Sequence, residues 1–522
     1  MVSVMRRVPN PVRIHCGLVS ILGLVVVSAV LGCGSPGTIC STCSSTSDGG
    51  ARRDGGSVVG SSCRPPSTTW KLVNGGVAGS AQAPLSCQKP IKTSTLPSGQ
   101  VRALGVHQVG EVVSFDVPAG TGTISIVSQA SSGVGETITV KGSTLDNAVV
   151  PLTLADPSGD ILYDDNAKPP TDGSTAKVYF LEGPAMTGVM TLPNTTKALT
   201  TSASGYPAGN WSLTVNDWAA ECAATPSLCT AGASGTGTYD VTVLLKPITG
   251  STGTVDLAFY FVTASLTAAQ ALTDSHVQRY LSTLAVLYGR AGLCLGTITF
   301  YDVPSWAKNK WATGVDATKL GPCDGLDQMF TISKAGNALN FFLVDSITQG
   351  SGSSGGGQVV GIDGAIPGPS SIGGTVHSGA VVNFSDYASG TCAGVPNFLK
   401  CGADVSAYIT AHEGGHWMGL YHTTEGVGGY YDPLSDTAKC SCSTTCGVST
   451  TAAQCCYDPN TGNFLGTCSS GTATYLSTAN CIKTIGDCGG GDSLMFYLLG
   501  NESAGTVSAQ QGAIIRANPV VY

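Results

Sequence analysis

Charge is what this chain has least of. Asp, Glu, Lys and Arg make up only 11% of its 522 residues, so its surface must be built from Ser, Thr, Gly and Asn rather than ions. The formal balance is −8, and no basic patch with interleaved aromatics occurs, which argues against a nucleic-acid partner. The apolar stretch from Gly17 to Leu31 is short for a membrane span. Histidine is rare as well, with 7 residues, yet three of them fall between positions 412 and 422.

Those three stand in the run His412-Glu413-Gly414-Gly415-His416-Trp417-Met418-Gly419-Leu420-Tyr421-His422, which reads H-E-x-x-H-x-x-G-x-x-H. On a helix, His412 and His416 project from one face, four residues apart. Two imidazoles so placed can bind one Zn²⁺, with Glu413 facing a water on the metal as general base. Gly419 lets the chain leave the helix through a positive φ, bringing His422 back as a third ligand. Three protein ligands leave a fourth position open, the mark of a catalytic zinc. Gly414 and Gly415 are the oddity, since each costs a helix about 1 kcal/mol relative to Ala. Packing and the metal must therefore hold this helix.

The extended motif resembles that of the metzincin clan of metalloproteases. The resemblance continues at Asp492-Ser493-Leu494-Met495-Phe496-Tyr497, which looks like the methionine turn that metzincins place beneath the zinc. His422-Thr423-Thr424-Glu425-Gly426 followed by Asp436-Thr437 looks most like the pappalysins. The resemblance implies an endopeptidase acting on a protein or peptide, and it implies that the Tyr497 hydroxyl reaches the zinc; packing in the core is the other reading of Tyr497. It also permits Glu425 and Asp436 to orient a histidine or bind Ca²⁺, although solvated acids fit them equally. Metzincins pair the substrate antiparallel with an edge strand, here expected over Val376 to Phe384. The rival class is a surface adhesin whose zinc fold is inert.

The N-terminus supplies a compartment. Arg6, Arg7 and Arg13 precede the apolar stretch, the pattern of a signal peptide over residues 1–32. It ends Val30-Leu31-Gly32-Cys33, which looks like a bacterial lipobox with Cys33 lipidated; an uncleaved signal anchor is the alternative. Gly34 after that cysteine implies the outer membrane or cell surface. Of 20 cysteines, setting aside Cys16 and Cys33 leaves 18, an even number that an exported chain is expected to oxidise to disulfides. The densest cluster runs from Cys440 to Cys488. Cys440, Cys442 and Cys446 match no common zinc-finger spacing, and a cross-linked loop bordering the cleft is the better reading.

The length suggests two folded units plus a tether. Residues 33–95, rich in Gly, Ser, Thr and Cys, read as that tether. Residues 96–249 alternate β-rich runs with turns, of which 112–117, 123–127, 211–215 and 239–243 are clearest. No helical pattern interrupts them, so an antiparallel β-sandwich is expected. The segment 207–215 also resembles the jelly-roll P domains found beside secreted proteases. Residues 250–522 read as an α/β, metzincin-like catalytic domain. Strands are expected over 257–262, 297–303 and 340–344, and Val277, Tyr280, Leu281, Leu284, Leu287 and Tyr288 form an amphipathic helix stripe. Ser508-x-x-Gln511 is a capping box opening a last helix. Two further motifs, Gly350-x-Gly352-x-x-Gly355 and Gly352-x-Ser354-x-Gly356, lie in one Gly/Ser run with no helix pattern after it, so neither nucleotide binding nor a serine nucleophile follows. His107, His276 and His377 stand alone, with His377 placed in the expected edge strand.

Overall fold

The computed structural model describes residues 24–27, 70–82, 91–93, 95–132, 137–140, 143–146, 149–164, 187–217, 237–317, 325–334, 336–348, 358–394, 396, 400–423, 432–438, 490–497, 499 and 503–522. The protein is multidomain and mostly β, with several sheets and few helices. Cys33, Glu425, the Gly/Ser run at 349–357 and the cysteines from Cys440 to Cys488 lie outside the described residues. No helix among the described residues is long and apolar enough to cross a membrane.

Two N-terminal strands, β1 (Leu24–Val27) and β2 (Lys71–Val77), join a large sheet formed mainly by the C-terminal half. The tether expected over 33–95 is therefore not wholly a tether. Residues 71–77 run parallel to a strand more than two hundred positions on, and Ile91–Lys92 pair with Ile372–Gly373. Its Gly/Ser-rich composition hid this strand, because a parallel edge strand needs no alternating pattern of its own.

The next unit has two four-stranded antiparallel sheets. One contains β3 (Gln100–Gln108), β5 (Thr121–Ser132), β8 (Thr187–Leu192) and β10 (Thr238–Pro247). The other contains β4 (Val112–Val117), β6 (Val149–Ala155), β7 (Ile161–Asp164) and β9 (Gly209–Asp217). Alternate residues point inward: Phe115 and Val117 from β4, Trp211, Leu213 and Val215 from β9, and Tyr239, Val241 and Val243 from β10 fill one shared cluster. Two sheets closed on a common apolar layer make a sandwich. A helix does interrupt it. The run Thr196–Ser204 forms α1, capped by Thr195, and it carries no apolar stripe that would have announced it.

The outer face of the β8-β5-β10-β3 sheet is buried too. Val127, Val189 and Leu244 meet Leu96 and Ile372, while Thr123 donates to the Ala517 carbonyl and Lys246 to those of Arg516 and Asn518. The sandwich is thus seated against the C-terminal unit.

That unit is built on strands β11 (Gly253–Phe261), β12 (Leu293–Asp302), β13 (Leu339–Val344), β14 (Gln358–Asp363) and β15 (Ala380–Asn383). The sheet order is β1-β14-β15-β13-β11-β12-β2, parallel except where β14 runs against both its neighbours. Both faces are covered, so the strands read as nearly continuous apolar runs. Leu257, Phe259, Phe341 and Val382 enter one cluster, and Ala258, Tyr260, Phe342 and Val381 enter the other. On the first face lie α2 (Ala268–Ala271) and α3 (Ser275–Arg290), whose stripe Val277, Tyr280, Leu281, Leu284, Leu287 and Tyr288 is buried throughout. The second face takes α4 (Ser305–Lys310) and α5 (Gly325–Phe330). Across the first face runs α6 (Gly402–Trp417), in which only Val405 is not fully buried, and the last helix α7 (Ala509–Ala517) opens with the capping box of Ser508 and Gln511.

The edge strand is not where the sequence placed it. Ala380–Asn383 is interior, between β13 and β14, and β1 lies beyond β14 at that edge of the sheet. His377 sits in the turn before β15, buried, with Nδ1 on the Gly364 carbonyl.

Candidate metal centre

The helix α6 is fastened at both ends before any metal is considered. At its start, Cys401 is the N-cap and is bonded to Cys392. Asp404 in the first turn is fully buried, receives Arg279 Nε and Nη2 at 2.7 and 2.9 Å, and accepts the Thr283 hydroxyl. The pair holds the Arg279 guanidinium above its ordinary range. At its end, Gly419 adopts φ of +104°, a turn open to glycine and strained for other residues. Its N–H meets the His416 carbonyl, and that turn returns the chain so that His422 faces the other two rings.

The three imidazoles converge. Their Nε2 atoms are 3.1 Å (His412 to His416), 3.2 Å (His416 to His422) and 3.3 Å (His412 to His422) apart, and all three residues are buried. His412 Nδ1 lies 2.6 Å from the Leu494 carbonyl and His416 Nδ1 lies 2.7 Å from the Leu420 carbonyl. A carbonyl only accepts, so these Nδ1 atoms carry the protons and their Nε2 atoms present lone pairs to one another. Converging lone pairs repel unless a cation joins them. Tetrahedral zinc with Zn–N of about 2.0–2.1 Å would set its nitrogens about 3.3–3.4 Å apart, close to the spacing here. Among the described residues this is the group of His, Cys, Asp and Glu able to hold a metal ion. Burial pushes His412 and His416 well below the usual histidine range, and the mutual proximity of the rings adds to it. Burial therefore keeps these two histidines neutral and ready to ligate.

The two helix glycines have a steric cause. A Cβ on Gly414 would overlap the Tyr288 hydroxyl of α3, and one on Gly415 would stand 2.5 Å from the Met495 sulfur. Residues Ser493–Tyr497 run beneath the triad: Leu494 supplies the carbonyl for His412, Met495 O accepts the Thr423 N–H, and Met495 is completely buried. Tyr497 is buried with its ring centroid 6.4 Å from that of His422. Glu413 is fully buried beside β14, and burial pushes its carboxyl up to about 8 in the absence of a cation, offset in part by the Asp363 backbone.

Other singled-out residues lie elsewhere. Asp436 accepts the Ser508 hydroxyl and the Gln510 N–H, each at 2.8 Å, so it caps α7 instead of orienting a histidine. Sequence alone could not show this, because the partner helix lies far along the chain. His276 is partly exposed at the start of α3 with its ring edge on Tyr387, and His107 pairs with Glu111 on the sandwich. Sequence reading missed Gly361, the contact of Tyr288 with Gly414 and the Arg279–Asp404 pair. A glycine inside a strand was the one available signal.

The chain matches no protein-family model and no curated protein. Among solved structures it is similar to a mutant of Xylanase10C from Cellvibrio japonicus in complex with xylopentaose, at 13% identity and a TM-score of 0.14, over 43% of this chain and 37% of that one. A family two carbohydrate esterase from Cellvibrio japonicus is similar at 8% identity and a TM-score of 0.10, over 41% of this chain and 52% of that one. This chain spans well under two thirds of either. Likeness this slight bears on neither fold nor function.

Proposed function

We propose that this protein is an exported zinc-dependent endopeptidase whose C-terminal unit is an α/β zincin domain of metzincin type. The observation that carries the reading is the convergence of three buried Nε2 lone pairs, two of them from the helix that also carries the buried Glu413. Support also comes from the sheet, in which one antiparallel strand, β14, flanks the helix that bears the histidines.

His412, His416 and His422 would hold the zinc, which when bound supplies a Lewis acid for the scissile carbonyl and acidifies water. Glu413 takes the proton of the attacking water and passes it to the leaving amine. Tyr497 donates its hydroxyl to the oxyanion of the tetrahedral intermediate. Cleavage before Cys33 would remove β1 and free the outer side of β14, along which an extended substrate would add a strand to the sheet. The chain is anchored by lipid on Cys33 at the outer membrane or cell surface, and Cys33→Ser should leave it soluble after membranes are pelleted in salt.

The deciding experiment is hydrolysis of an unbiased peptide library by the zinc-loaded protein and by Glu413→Gln. Cleavage that disappears in the variant while about one zinc per chain remains supports the reading, because the base is lost and the ligands are not. A zinc-loaded protein that cleaves nothing returns the chain to the adhesin class.

A further inference from the structure

We propose that Gly361 on β14 is a positioning residue for Glu413: the strand is irregular there so that its bare backbone forms the seat of the carboxylate. This rests on the peptidase reading for its catalytic meaning, although the contact itself does not.

Along a regular strand, successive residues face opposite sides of the sheet. Here Val359 and Ile362 both enter the cluster on the α4 and α5 face, and Val360 packs into the one beneath α6. A Cβ on Gly361 would also point to the α6 face, 2.8 Å from Glu413 Cδ and 2.8 Å from Ile409 Cγ2, and closer still to Glu413 Oε1. Residues 360 and 361 thus share one side, and the pairing with β1 passes from Val359 to Gly361 without Val360. An extra residue of this kind re-aims a strand, and such irregularities gather at the rims of sites. Its effect at this place is to lay the backbone of 361 flat against the acid. Gly361 is not at a positive φ, so the requirement is space and not backbone freedom. Any side chain at 361 must displace Glu413 and Ile409 or push β14 away from α6.

The test is a double-mutant cycle on the full, zinc-loaded chain with Gly361→Ala, Glu413→Ala and the pair. Gly361→Ala is expected to keep about one zinc and a KM within about twofold, and to lose roughly 10–100-fold in kcat, since displacing a reacting group by an ångström costs on that order. In thermal melts, Gly361→Ala should lower Tm by several degrees when Glu413 is present. In the Glu413→Ala background the loss should be less than half as large, because the carboxylate that the new methyl strikes is gone. Equal Tm losses in the two backgrounds, or a kcat within about twofold of the parent, overturn the proposal. Where Gly361→Ala alone fails to fold, a folded, zinc-binding double variant is the same coupling, and a double variant that also fails overturns it. If the parent cleaves no peptide, the peptidase reading falls while the melts still decide whether Gly361 seats the acid.

Discussion

Met495 reaches the underside of the triad only because position 415 carries no side chain. Helix propensity alone says that Gly415→Ala should stabilise α6 by about 1 kcal/mol. The 2.5 Å approach of the Met495 sulfur says the reverse, because overpacking a filled core typically costs about 1–3 kcal/mol. The substitution is expected to lower the unfolding free energy and weaken zinc retention, which denaturant melts and competition with a chelator would measure. A stabilised variant with full zinc would show that Met495 yields freely. Tyr497 poses a different question. Tyr497→Phe keeps the ring beside His422 and removes the hydroxyl alone. As an oxyanion donor it should lose roughly 10²–10³ in kcat with zinc content unchanged; a change within about twofold would mark it as packing.

Among the elements, α6 depends on a charge that water never reaches. Asp404 is completely buried while Arg279 is partly exposed, and the two are joined by two hydrogen bonds across from α3. Removing one member of such a pair leaves the other desolvated and uncompensated. Arg279→Met, which strands the buried Asp404 carboxylate, should therefore cost roughly 3–5 kcal/mol, and a loss below about 1 kcal/mol in denaturant melts would contradict that burial argument. What the sequence disclosed about these elements follows their range of interaction. The triad spacing, the α3 stripe and the Ser508 box are set within a few residues and were legible. So were the clearest sandwich strands, whose alternation records one wet and one dry face. The reason for Gly414 and Gly415 was not legible, since Tyr288 and Met495 are distant in sequence. The same holds for β2, which draws its register from β12, and for β14, whose irregularity at Val360–Gly361 breaks the pattern that would identify it. The short α1 stayed hidden because its packing against the C-terminal unit, through Leu199, comes from the tertiary contact alone.

At the scale of the whole molecule, the seam between the sandwich and the C-terminal unit is lined by polar groups as well as apolar ones. Lys246 crosses it, 4% exposed, and burial with the nearby Arg516 charge pulls its ammonium from an ordinary 10.5 down to about 7. Below about 7 the lysine is charged folded and unfolded, and the cost of burying the charge is fully present. Between about 7 and 10.5 the unfolded chain holds a proton that the folded one gives up, so stability rises with pH across that window. The slope from this group is at most about 1.4 kcal/mol per pH unit. Lys246→Met should flatten it, read as the difference between parent and variant melts at neutral and alkaline pH; parallel curves would remove Lys246 as the cause. The seam also bears on whether residues 250–522 can act alone, as their possession of every ligand implies. That fragment lacks β2 and exposes Ile372 and the end of α7. It is expected to melt well below the full chain while retaining zinc, and a fragment as stable as the parent would show the seam to be incidental.

The carbonyl anchors of His412 and His416 have a consequence in time. Two of the three rings are clamped through Nδ1 by Leu494 and Leu420, so when the ion leaves, the repulsion of the lone pairs should shift the rings locally and erase little of the surrounding shape. Stripping with a chelator ought then to be forgiving: after zinc is returned, activity should recover in one fast phase set by encounter, with no slow phase from refolding. Stopped-flow recovery dominated by a slow, zinc-independent phase would mean that the ion, and not the chain, remembers the geometry.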